Sequence, residues 1–90
     1  MTNGKGHKIQ RIMNSTDDLL QRLPLIELAG THRVLIENYY CVTAYTDQEI
    51  SVKVKYGNIK ICGEGLRIVK ISNQQMVIVG GIQQVFLYKR

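Results

Sequence analysis

Residues 49–63 read Glu49-Ile50-Ser51-Val52-Lys53-Val54-Lys55-Tyr56-Gly57-Asn58-Ile59-Lys60-Ile61-Cys62-Gly63. Ile50, Val52 and Val54 alternate with Glu49, Ser51, Lys53 and Lys55. A β-strand therefore turns the branched side chains to one face and the polar ones to the other. Ile59 and Ile61 resume the pattern beyond Gly57, where glycine supplies the positive φ that a tight reversal needs. The same device, a short alternating strand closed by glycine, recurs at Gly63 and Gly65 and, after residues 76–79, at Gly80 and Gly81.

Working outwards, residues 41–46 pair with 49–54 as a hairpin across Thr46-Asp47-Gln48, preceded by strands at 25–28, stopped near Gly30, and at 34–37, which the tyrosines Tyr39 and Tyr40 follow. Downstream strands fall at 58–62, 66–72, 75–79 and 82–88, and the short connections favour antiparallel neighbours. Gly63-Glu64-Gly65 joins two of them as a turn and lacks the following helix that a phosphate loop requires. The pattern predicts an all-β protein, a small antiparallel sandwich or barrel of about seven or eight short strands. Strand starts recurring about every nine residues leave a short β-solenoid as the alternative. Ahead of the strands, Ser15 or Thr16 caps a short helix over 16–23. Asp17 and Asp18 meet the positive end of its dipole, Leu19, Leu20 and Leu23 share a face, and Pro24 ends it. Residues 1–14 read as a basic flexible tail, and 15–90 as a single domain.

Two runs break the alternation. Residues 76–79 and 85–88 are apolar on both faces, which suits either central strands covered on both sides or a subunit interface. The interface reading selects Met76, Val77, Val79, Val85, Phe86 and Tyr88, and adds the strand around Val34 as an edge open to strand addition.

Charge says little about ligands. The 90-residue chain carries +5, but Lys5, Lys8 and Arg11 supply three of those charges and leave a weak electrostatic footprint on the domain. Lys53, Lys55 and Lys60 with Tyr45 and Tyr56 would form the working face if the module were a barrel binding single-stranded nucleic acid, the alternative function; nucleic acid is the less favoured partner. His7 sits in the tail and His32 in a turn, neither with a second ligand or nucleophile at a telling spacing. Cys41 and Cys62 lie in predicted strands and read as two small buried hydrophobes rather than a disulfide or metal pair. No catalytic, cofactor-binding or metal-binding residues are expected. With no apolar leader or membrane-length run in the sequence, the expectation is a cytosolic, non-enzymatic protein.

From Leu23 onwards the order of motifs resembles a known family. Leu23-Pro24-Leu25-Ile26-Glu27, Gly30, the Ile36-Glu37-Asn38 triplet and Tyr45-Thr46-Asp47 stand upstream. Ile59 and Ile61 between Gly57 and Gly63, then Leu66 with Ile68, Gly80-Gly81-Ile82 and residues 85–88, follow. In that order they are similar to the YabP/YqfC family of sporulation proteins, closer to the YqfC branch, over about three quarters of the chain. The resemblance implies a protein of endospore-forming bacteria, made in the mother cell and without catalytic residues. It also implies a protein partner, a sporulation membrane protein with a large extracytoplasmic region, which would hold the module at the membrane around the forespore. A homo-oligomer is left open. Residues 1–14 and Lys89-Arg90 fall outside the resemblance.

Overall fold

A computed structural model describes residues 23–89. Within them the chain forms six strands: β1 (Leu25–Ala29), β2 (Arg33–Glu37), β3 (Tyr39–Tyr45), β4 (Glu49–Val54), β5 (Gly57–Ile71) and β6 (Gln75–Lys89). All neighbours are antiparallel, in a single open sheet of order β1-β2-β6-β5-β4-β3. The all-β antiparallel expectation holds, and consecutive antiparallel pairing is not that of a solenoid. The tail 1–14 and the body of the helix expected over 16–23 lie outside the described residues.

The strand count is smaller than expected for a physical reason. Glycines read as turns are bends inside two long strands of 15 residues each, so 58–62 and 66–72 belong to one strand, as do 75–79 and 82–88. At the bend the two backbones come so close that only glycine fits. A Cβ on Gly63 would stand 2.0 Å from the carbonyl oxygen of Gly81, and one on Gly80, whose φ is +142°, 2.7 Å from that of Gly65. Register shifts between Cys62 and Gly63 and between Glu64 and Arg67 mark the same place, and bulges of this kind bend and twist a ladder.

Each half of the long β5–β6 hairpin carries one short hairpin. β1–β2 pairs through β2 with the first half of β6, from Arg33 opposite Val79 to Glu37 opposite Gln75. β3–β4 pairs through β4 with the first half of β5, from Glu49 opposite Cys62 to Val54 opposite Gly57. The tips of both grip the bend: His32 O and Thr31 O accept from Gly80 N and Ile82 N at 3.1 and 2.8 Å, and Gln48 O and Asp47 O accept from Gly63 N and Leu66 N at 3.0 and 2.8 Å. The strand around Val34 is therefore not an edge, since β2 lies between β1 and β6.

Both halves share one core. Val34, Ile36, Met76 and Ile78 from one half cluster with Ile50, Val52, Val54, Ile59 and Ile61 from the other, with Leu66 and Ile82 at the bend. Alternation explains which face each residue of β4 and of the first half of β5 takes, until the bulges at the bend reset it. Asn38 alone carries the chain from one half to the other, in the left-handed region at φ 63°, which asparagine tolerates better than most residues. Its backbone N–H donates to Gln74 O at 2.7 Å and its side-chain amide to Leu23 O at 2.9 Å. Two tyrosines of β3 reach across to the far end of β5: Tyr45 Oη accepts from Ile68 N at 3.0 Å, and the Tyr39 hydroxyl donates to Ser72 O.

Gly63→Ala forces backbone apart at the bend and is expected to destabilise the domain by about 3 kcal/mol in urea unfolding. Gly81→Ala, whose Cβ would rest 3.5 Å from Glu64 O, is expected to stay within about 1 kcal/mol of wild type. Equal effects would mean that the close crossing does not constrain the fold. Tyr45→Phe removes the acceptor for Ile68 N–H and is expected to cost about 0.5–1.5 kcal/mol, with faster amide exchange at Ile68 as its local readout.

Candidate interaction surface

The two apolar-on-both-faces runs meet different fates. In residues 76–79 the strand is central: Met76 and Ile78 lie in the core, and Val77 is 5% exposed on the opposite face, between Leu35 of β2 and Lys70 of β5. Met76 and Val77 are thus packed inside the fold and are not surface residues, while Val79 is half-buried. In residues 85–88 the strand has β5 on one side only, because β2 pairs no further along β6 than Val79. Val85 is half-buried against the core, but Phe86, Leu87 and Tyr88 are 36%, 70% and 48% exposed.

The exposed side chains sort by face. Ile59 and Ile61 point into the core, so their partners Leu87 and Val85 share that inner face. Leu87 lines a shallow groove of about 200 Å³ with Pro24, Val54, Ile59 and Tyr56. On the outer face the registered rows are Lys53, Asn58 and Tyr88, then Ser51, Lys60 and Phe86, then Glu49, Cys62 and Gln84. Phe86 and Tyr88 stack with ring centroids 6.0 Å apart and planes 25° from parallel. Lys60 Nζ lies 3.5 Å from Glu49 Oε1, an exposed pair of small energetic weight.

The residues proposed for nucleic acid do not assemble into one face. Lys53 and Lys60 stand on the outer face of β4 and β5, and Lys60 is partnered by Glu49. Lys55 and Tyr56 occupy the β4–β5 connection, with the ammonium 5.2 Å from the ring centroid. Tyr45 is used in holding the sheet together through Ile68. The aromatic neighbours of Lys60 are instead Phe86 and its stacked Tyr88, a cross-strand relation invisible until the register is known.

Other chemistry is sparse. Among the described residues no three His, Cys, Asp or Glu side chains converge as a metal site, and no buried side-chain N or O lacks a hydrogen-bond partner. His32 lies exposed in the β1–β2 connection and serves the fold through its carbonyl. Cys62 is half-buried and Cys41 exposed, so the expectation of two buried cysteines is met in full at neither and fails outright at Cys41. There the side chain shares the outer face with its partner Lys53, at a register shift on an edge strand. No helix among the described residues is long and apolar enough to cross a membrane.

Comparison with curated proteins and with solved structures gives no significant match. A family model does match, that of the YabP family, over residues 22–89, from just before β1 to the end of β6. Membership of that family points to a sporulation-related protein. On this match, which spans the whole described sheet, the chain belongs to the YabP family.

Proposed function

We propose that this chain is a non-enzymatic sporulation protein of endospore-forming bacteria, of the YqfC type, that works by assembly in the mother cell. Its partner is a sporulation membrane protein, and the module acts peripherally at the membrane around the forespore. The observation that carries the proposal is the apolar face of β6, with Phe86 and Tyr88 stacked and exposed, on a chain whose family match points to sporulation. Aromatic side chains presented on a regular strand supply large contact area at low entropic cost, which suits recognition between proteins. The interface on this reading centres on Phe86 and Tyr88, with Val79 further along β6, while Val85 lies on the opposite, inner face against the core.

The test is recovery of the tagged protein from sporulating cells, lysed in mild detergent and treated with nuclease, followed by mass spectrometry of what co-purifies. A membrane protein at near-stoichiometric yield is expected with wild type, and its loss with Phe86→Glu while circular dichroism stays that of the folded domain. Val77→Lys, by contrast, places a charge at a buried position and is expected to unfold the domain, at a cost of about 3 kcal/mol or more. Wild type that brings down no membrane protein would sink the proposal. So would a labelled single-stranded oligonucleotide bound with steep salt dependence and released by neutralising Lys53 and Lys55, which would return the nucleic-acid reading to first place.

A further inference from the structure

The sheet has four stretches of exposed edge among its described residues, and three carry protection. β1 is five residues long and places Glu27 in the middle of its edge. β3 is broken by register shifts between Tyr39 and Cys41 and between Val42 and Ala44. The second half of β5 is shifted between Ile68 and Lys70, carries Arg67 and Lys70, and gives the Ile68 N–H to Tyr45. Short strands, charges, bulges and capping are the means by which proteins keep sheet edges from pairing. The second half of β6 has none of them. From Gln84 opposite Cys62 to Lys89 opposite Gly57 its register with β5 is unbroken. Before Lys89, β6 holds no charged residue at all, and its exposed large apolar side chains are Phe86, Leu87 and Tyr88.

We propose that this edge is the site of homodimerisation, the second copy adding its own β6 antiparallel to the first across a two-fold axis perpendicular to the sheet near Phe86 and Leu87. Charge selects both occupant and direction. A second copy brings an equally uncharged strand, and antiparallel pairing sends the two Lys89 ammonium groups to opposite ends of the ladder, whereas parallel pairing stacks them. An axis perpendicular to the sheet keeps each outer face on its own side. The stacked Phe86 and Tyr88 of both copies then form one continuous aromatic surface flanked by Lys60 and its symmetry mate. Leu87 and its mate meet on the inner face, where a residue 70% exposed in the monomer finds cover. The inference rests on the assembly reading above and deepens it, since the dimer doubles the face offered to the membrane companion.

Sedimentation velocity on the purified full chain, with no companion present, is the test. A dimer at micromolar concentration is expected, and Leu87→Lys, at an exposed position, should weaken it at least about tenfold while leaving the circular dichroism unchanged. A second readout does not depend on that variant: with Cys41 and Cys62 replaced by serine, cysteine at Phe86 or Leu87 should cross-link between copies under mild oxidation, and cysteine at Leu25 on the β1 edge should not. Cross-linking at Leu25 alone, or a dimer indifferent to Leu87→Lys, overturns the proposal. A monomer at the same concentration also overturns it, and slow amide exchange over residues 84–89 would then show that another segment covers the edge. Failure here leaves co-purification with a membrane protein untouched, so the dimer and the assembly reading fall separately.

Discussion

Where Gly63 passes the carbonyl of Gly81, two backbones approach to a distance that leaves no room for a methyl group on Gly63. The rest of the molecule is arranged around that crossing. Because β5 and β6 bend there, one six-stranded sheet supplies both walls of its own core. Because the bend opens backbone N–H groups that β5 and β6 cannot exchange with each other, the tips of the β1–β2 and β3–β4 hairpins satisfy them through Thr31, His32, Asp47 and Gln48. The tyrosine bridges from β3 and the single-residue link at Asn38 then fix how far the halves close.

Much of this was legible from residue order. Alternation in β4 assigned Ile50, Val52 and Val54 to the core and Lys53 to the outside, because one buried face and one wet face leave a period of two in the sequence. The misread places share one cause. Gly63, Gly65, Gly80 and Gly81 carry the composition of a turn, and nothing local distinguishes a reversal from a close crossing of two continuing strands. That difference depends on which backbone lies opposite, Gly81 for Gly63 and Gly65 for Gly80, far away in sequence. Cys41 is a second case: its apolar character suggested burial, but a register shift near the end of an edge strand turned it outward.

The candidate surface shows the same limit more sharply. Residues 76–79 and 85–88 look alike as composition, yet Val77 is buried and Leu87 is open, because β2 stops pairing at Val79. Topology, not hydrophobicity, decides which apolar run is core and which is left exposed. The family match covers both runs and so does not choose between them. The stacked pair of rings and the bare edge are both products of register.

The pairing of β2 with β6 has a temporal side. Val34 and Ile36 lie across from Ile78 and Met76, partners made 44 and 40 residues later. The meander of β3, β4 and the start of β5 closes through local contacts and can form while synthesis continues. Half of the hydrophobic core, however, has no wall until the last strand emerges. During that interval β1–β2 carries its branched side chains in water, so the nascent chain is at its most aggregation-prone shortly before β6 is made. Any slowing of translation between β2 and β6 lengthens that exposure.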